Sequence, residues 1–259
     1  MKILITNDDG VDSLGIRALA NELKKIASVY IVAPERQQST QGHSLTLHKP
    51  LRLIKVGSNI WKSNGTPIDC VKLGVRILLK NNVDLVVSGI NTGANLGTDV
   101  LYSGTAAGAF EAAQMGIPSI AVSLVLGTQS SNFNFPSKFV RRLISNKKII
   151  DIPHGSFLNV NVPNIQKKKI KGFKITKLGS KKYKDIIERR VDLRGRPYYW
   201  LAGEIIPDPG ISEDTDIYAV EKGYVSLTPV KINLTDYDTL EWLKSAKLDI
   251  NRNKTIAWT

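Results

Sequence analysis

Over the first 163 residues, short runs of aliphatic and β-branched residues alternate with segments whose apolar residues recur at helical spacing. Because strand-like and helix-like segments follow each other in turn, we expect parallel strands joined by right-handed crossovers. The pattern therefore predicts an α/β fold, with a Rossmann-like, mostly parallel sheet flanked by helices. The predicted strands are residues 2–6, 29–33, 84–88, 119–123 and 157–163, with short strands within 45–63, and the predicted helices are about 13–27, 67–80, 103–115 and 136–146.

The pattern changes from residue 164 onward. Alternating apolar and polar positions at 198–201 and 223–228 indicate antiparallel strands and hairpins, and apolar spacing at about 236–247 predicts a terminal helix. These segments have no obvious core of their own, and exposed strand edges favour pairing with another chain. We therefore expect a catalytic core over 1–163 and an extension over 164–259, which is not an independent domain and is used in oligomerisation.

Composition narrows the class of protein. Hydrophobic residues are 42% of the 259-residue chain, which is enough for a packed core. The single cysteine, Cys70, excludes an internal disulfide, and no apolar run is long enough to span a membrane, so we expect a cytoplasmic protein. The net charge of +13 favours anionic ligands, but the lysine runs of the chain are typical of a solvated basic face, so we do not expect nucleic acid as a partner.

Oxygen-bearing side chains follow three of the predicted strands. Asp8 and Asp9 come directly after the first strand, and Ser39 lies in the loop after the second. Asn91 and Asn95 lie in a glycine-rich loop after the strand predicted over 84–88. Parallel strands bring such loops to one edge of the sheet. Carboxylate, hydroxyl and amide oxygens are the ligands that hard divalent cations prefer, so the sequence predicts a metal site with open positions for water and substrate.

A predicted helix begins directly after that loop, at Ser103, Gly104 and Thr105. Its free backbone N–H groups and two hydroxyls form a good anion site, and a phosphate next to a metal is the arrangement for hydrolytic phosphoryl transfer. Asn95 is a further candidate for contact with substrate. Asn7, which precedes the carboxylate pair, and His43, a candidate general base in the second loop, are possible additional site residues.

Several stretches resemble the SurE (stationary-phase survival protein) family of nucleotidases: residues 3–10, 33–39, 88–97, 102–107 and 224–229. The resemblance implies a metal-dependent phosphatase that acts on nucleoside 5′- and 3′-monophosphates. It implies one divalent cation per subunit, Mg²⁺, Mn²⁺ or similar, bound by Asp8, Asp9, Ser39 and Asn91, with Asp8 and Asp9 as the catalytic carboxylates. It also implies homodimers or homotetramers in which carboxyl-terminal hairpins reach across to a neighbour.

Three other classes of protein fit the residues less well. A haloacid-dehalogenase-type phosphatase needs a second Asp two residues after the first, where this chain has Gly10. A phospho-receiver domain needs an acceptor at the carboxyl end of a later strand, and Asp84 is at the amino end. A nicotinamide-binding protein needs a Gly-x-Gly-x-x-Gly loop after the first strand. Whether Asp8 attacks phosphorus directly or positions a water molecule stays open.

Overall fold

The computed structural model describes residues 1–38, 40–127, 130–146, 148, 151–206, 210–231 and 233–246. Within these residues a nine-stranded sheet has the order β3-β4-β2-β1-β5-β6-β7-β11-β8, and β9 and β10 form a separate two-stranded sheet. Six neighbouring strands, from β4 to β7, run parallel. The strands are β1 Lys2–Thr6, β2 Ser28–Pro34, β3 Leu53–Gly57, β4 Ile60–Ser63, β5 Leu85–Thr92, β6 Ser119–Val125, β7 Ser156–Pro163, β8 Phe173–Ile175, β9 Lys182–Val191, β10 Pro197–Ile206 and β11 Val225–Lys231.

Helices cover both faces of the sheet, because successive strand residues point to opposite sides. Ile3 and Ile5 pack against helices α1 and α4, whereas Leu4 packs against α2, and α3 lies beside α2. The α-helices are α1 Leu14–Leu23, α2 Pro67–Leu73, α3 Gly104–Gln114, α4 Asn134–Ser145, α5 Asp216–Glu221 and α6 Tyr237–Ser245. The predicted α/β architecture and its antiparallel carboxyl-terminal hairpin are confirmed.

The order in which successive strands are added to the sheet reverses at β1. Strand β2 pairs with one side of β1 and β5 pairs with the other, so the loops after β1 and β5 diverge from adjacent strands. Such a switch point opens a crevice at the carboxyl edge, where open α/β sheets bind their ligands. The first and third of the three predicted site loops leave from this place.

Some boundaries differ from the sequence predictions. The helix predicted over 67–80 is α-helical only to Leu73 and continues as one π-helical turn, Gly74–Leu78, where the backbone of Gly74 packs closely on the side chain of Leu4. Strand β11 does not form a hairpin with a sequence neighbour. It lies antiparallel to β7 and parallel to β8, so the second half of the chain extends the main sheet. Short α5 was not predicted.

The β9–β10 hairpin and α6 differ from the core in burial. Every residue of both hairpin strands is exposed, and α6 has no buried residue. The ten cross-strand pairs from Pro197↔Val191 to Ile206↔Lys182 nevertheless give the hairpin a continuous ladder. No helix among the described residues is long and apolar enough to cross a membrane.

Candidate active site

Asp8 follows β1 and lies at the base of the crevice. Its side chain is almost completely buried, with 4% of the residue exposed, and one carboxylate oxygen accepts a hydrogen bond from the hydroxyl of Thr105. The carbonyl oxygen of Asp8 accepts from the backbone N–H of Gln38 at 2.7 Å. Asp8 is therefore fixed from two sides, by the start of α3 and by the loop after β2.

Asp9 is half-buried beside Asp8 and accepts a hydrogen bond from the backbone N–H of Thr92 at 3.2 Å. Burial raises the pKa of Asp8 to about 6, with a further increase from the charge of Asp9, although the hydrogen bond from Thr105 lowers it. Burial also raises the pKa of Asp9. Among the described residues, no lysine or arginine forms an ion pair with either carboxylate. The pair therefore lies in a place that disfavours its negative charge.

The amino end of α3 is directed at Asp8. Ser103 is the N-cap and its hydroxyl oxygen accepts from the backbone N–H of Ala106 at 3.0 Å. Gly104 approaches so closely that a Cβ atom there would lie 2.9 Å from both Cβ and Oδ2 of Asp8. Thr105 is fully buried and bonds to Asp8. Of the predicted anion site, Ser103 is buried but lines the pocket, whereas Gly104 and Thr105 contact the carboxylate itself.

A pocket of about 640 Å³ opens above Asp8. Asn91, Asn95 and Ser103 form its core side, so the structure brings together candidates from three segments of the sequence. The opposite wall comes from the β9–β10 hairpin, including Tyr183 and Leu201. The volume lies within the range of about 300–1,000 Å³ that is usual for small-molecule sites.

The hairpin wall is attached to the core through Asp99, which sequence reasoning missed. The hydroxyl of Tyr183 donates to Oδ1 of Asp99 at 2.8 Å, and Nζ of Lys181 lies 2.5 Å from Oδ2. Burial together with Asp99 raises the pKa of Tyr183 to about 12. Nothing in the local sequence signals this contact, because it depends on where the hairpin folds back.

The remaining candidates occupy different places. Asn7 is fully buried, and its Nδ2 donates to the carbonyl of Gly10 at 3.0 Å and to Oγ of Ser13 at 2.8 Å, so it braces the turn that carries the carboxylates. His43 is exposed and packs edge-on against Phe110, with ring centroids 4.6 Å apart, in a neighbouring apolar cleft. The structure does not bring His43 into the pocket of Asp8. Ser39 lies outside the described residues.

The donor groups at this edge suit a hard cation. Within the described part of the chain, no three His, Cys, Asp or Glu side chains form a cluster able to hold a metal ion. Two adjacent carboxylates are nevertheless present without a cationic partner among the residues that the structure describes, and Asn91 lines the same pocket as Asp8. A divalent cation with oxygen ligands would offset the cost of burying this charge, so the residues present fit such an ion.

Comparisons with known proteins agree with this geometry. A family model described as Survival protein SurE matches residues 3–185. The chain is 46% identical over 244 residues to a 5′-nucleotidase SurE from Geotalea daltonii, an alignment that covers 94% of this chain and 98% of the relative. A 5′-nucleotidase SurE from Moorella thermoacetica is 48% identical over 245 residues, with 92% of each chain covered. The crystal structure of a SurE protein from Aquifex aeolicus superposes with a TM-score of 0.83 at 42% identity, covering 95% of this chain and 99% of that one.

Proposed function

The chain belongs to the SurE family, and we propose that it hydrolyses nucleoside 5′-monophosphates, with 3′-monophosphates as a second substrate class, to nucleoside and phosphate. It would thus be a phosphoric monoester hydrolase. The observation that carries the proposal is the buried Asp8 beside Asp9 at the β1–β5 switch point, beneath a pocket large enough for a nucleotide.

Activity would require one divalent cation per chain, Mg²⁺, Mn²⁺ or similar. Asp8, Asp9 and Asn91 would hold it, together with Ser39 from the loop that lies outside the described residues. When bound, the cation would act as a Lewis acid that stabilises the charge developing on the phosphoryl group.

The chain's own residues would divide the remaining work between them. Asp8 and Asp9 are the proposed catalytic carboxylates, and Thr105 and Gly104 hold Asp8 in place. Backbone N–H groups at the start of α3 and the hydroxyl of Ser103 would donate to phosphate oxygens, since a helix amino end favours an anion. Asn95 would contact the substrate from the same core side of the pocket.

A panel of nucleoside 5′- and 3′-monophosphates, assayed for phosphate release with and without chelator, tests the proposal directly. We expect release from 5′-monophosphates to stop in chelator and to return when Mg²⁺ or Mn²⁺ is added. Undiminished release in excess chelator would contradict the metal requirement. Release from simple phosphate esters but from no nucleotide would contradict the substrate class.

We also propose that the protein acts as a homodimer or homotetramer in the cytoplasm. Apolar residues of α6 are exposed, including Tyr237 at 59% and Trp242 at 63%, and the β9–β10 hairpin buries none of its residues against its own chain. Exposed strand edges and apolar faces of this kind favour association. Sedimentation at micromolar concentration should give at least a dimer, and a monomer would count against this part of the proposal.

A further inference from the structure

Strand β7 contains two buried amides that the proposed reaction does not use. Asn159 and Asn161 are both fully buried and alternate with Val160 and Val162. The valines belong to the core cluster beneath α1 and α4, so the two asparagines point to the opposite face of the sheet. An amide placed in a buried strand is costly unless it makes hydrogen bonds, and these two make theirs to one residue, Asn95.

Asn161 holds the backbone of Asn95 at both ends. Its Oδ1 accepts from the N–H of Asn95 at 2.9 Å, and its Nδ2 donates to the carbonyl of Asn95 at 3.0 Å. Nδ2 of Asn159 donates to the same carbonyl at 2.8 Å. The side chain of Asn95 donates in turn to Oγ of Ser123 at 2.7 Å, and Ser123 is paired in register with Asn161 on the adjacent strand.

Asn95 lies between two glycines that have positive φ values. Gly93 and Gly97 have φ values of +138° and +56°, in the region that is readily accessible to glycine. The backbone N–H of Gly93 donates to the carbonyl of Leu124 at 3.0 Å and that of Gly97 to Oδ2 of Asp216 at 2.8 Å, so the two ends of the loop are held and Asn95 lies between them. Its position is set from below, by side chains of β6 and β7 whose own places are fixed by the parallel ladder.

We propose that Asn161, assisted by Asn159 and Ser123, is a positioning residue for the reaction: these three side chains, which we call the β7 clamp, fix where the side chain of Asn95 meets the substrate. This inference rests on the proposed role of Asn95 as a substrate contact. The clamp touches neither substrate nor reacting atoms, and it acts only through Asn95.

A double-mutant cycle in the full-length protein tests the proposal, with a nucleoside 5′-monophosphate as substrate and saturating Mn²⁺. Asn161→Ala removes both hydrogen bonds to Asn95, and we expect kcat/KM to fall about 10–100-fold, the range found when a supporting residue is lost. Asn95→Ala should produce a loss at least as large. If the clamp acts through Asn95, adding Asn161→Ala to Asn95→Ala should cost less than about threefold more.

A matched control separates positioning from general stability. Thr228→Val removes another buried hydrogen bond of the same sheet, the 2.7 Å contact between Thr228 and Thr176, and should leave kcat and KM near wild type. Asn161→Asp keeps the acceptor for the N–H of Asn95 but sets an oxygen against its carbonyl in a buried site, so its kcat/KM should fall at least as far as that of Asn161→Ala. If Asn161→Ala does not fold, Ser123→Ala takes its place in the cycle, with a smaller loss expected.

Three results would overturn the inference. Additive losses in the cycle would show that Asn161 acts independently of Asn95. If Asn161→Ala and Asn161→Asp keep wild-type kinetics while Asn95→Ala shows a large loss, the role of the clamp is contradicted and the proposed function is unaffected. Wild-type kinetics in Asn95→Ala would remove both the clamp and the proposed role of Asn95.

Discussion

Two regions form the walls of one pocket and are held in opposite ways. The β1–β5 edge is buried, and its polar groups are fixed by hydrogen bonds from α3, β6, β7 and the loop after β2. The β9–β10 hairpin faces it with every strand residue exposed, and it is attached near the pocket through Tyr183 and Lys181 on Asp99. The proposed catalytic and metal-binding groups therefore lie on the hydrogen-bonded β1–β5 wall, which we call the rigid wall, and the β9–β10 hairpin is the exposed wall. We therefore expect the exposed wall to tolerate more variation in its contacts with the rest of the substrate.

The largest expected effect is the loss of the buried carboxylate from the rigid wall. Asp8→Asn keeps the shape of the side chain but removes its charge, so phosphate release should fall by about 10³-fold or more. Asp12→Asn is the matched control, because Asp12 is exposed in the same segment and, among the described residues, forms an ion pair with Arg17 alone. Phosphate release by both variants at the same Mn²⁺ concentration checks the prediction. Near-normal release by Asp8→Asn would show that the rigid wall does not carry the chemistry.

A smaller loss of activity is expected when Asp8 is displaced without any change of charge. A Cβ atom at position 104 would come 2.9 Å from Asp8. The side chain of Asp8 is short and buried, so it cannot easily move aside. We expect Gly104→Ala to remain folded, since alanine is favourable in a helix, and to lose about 10–100-fold in kcat/KM. At Gly127 the nearest atom to an added Cβ is 3.5 Å away, so Gly127→Ala is the control. Equal kinetics for the two variants would contradict the close contact.

The stability of the metal-free protein gives a third comparison. The pKa of Asp8 is about 6 in the folded chain against an ordinary value of 3.8, so between these pH values the folded state binds more protons than the unfolded state. Stability therefore falls as pH rises from about 4 to about 6, by ~1–3 kcal/mol from this residue. Asp8→Asn does not titrate and should be more stable than wild type at pH 7.5 in chelator, with the difference shrinking toward pH 4.5.

Denaturant unfolding of wild type and Asp8→Asn at pH 7.5 and pH 4.5 measures the difference between their free energies of unfolding. Titrations common to wild type and Asp8→Asn cancel when their free energies of unfolding are subtracted. A difference that is the same at both pH values would mean that burial of Asp8 does not disfavour its charge.

The smallest effect on activity is expected from a substitution in the exposed wall. Tyr183→Phe removes the hydrogen bond to Asp99 but keeps the ring, and Lys181 still pairs with Asp99. We expect KM for a nucleoside monophosphate to rise about two- to fivefold with kcat little changed, because net hydrogen bonds are worth about 1 kcal/mol. Tyr199→Phe, on the other strand of the hairpin, should have no effect. A loss in kcat as large as that of Gly104→Ala would make the two walls equally important for chemistry.

The sequence predicted the residues of the rigid wall better than it predicted the side chains that hold them in place. Asp8 and Asn91 could be placed together because Asp8 follows one recognisable buried strand and Asn91 lies at the carboxyl end of another, β5, and parallel strands share an edge. The β7 clamp could not be predicted, since Asn161 meets Asn95 through strand register and loop folding over 66 positions of sequence. The alternation of asparagine and valine in β7 was the only local signal. Tyr183 was missed for a similar reason, because the position of an exposed hairpin depends on long-range contacts.

We propose that the carboxylates of Asp8 and Asp9 at the end of β1 hold a divalent cation. Thermal unfolding of chelator-treated protein against increasing Mn²⁺ tests it most directly, because a ligand that binds only the folded state stabilises it by about 2.7 kcal/mol at 100 times its Kd. We predict that Tm of wild type and of Asp12→Asn rises with Mn²⁺, while that of Asp8→Asn starts higher and rises only at much higher concentrations. An equal rise in all three proteins, or no rise in wild type, would contradict the account.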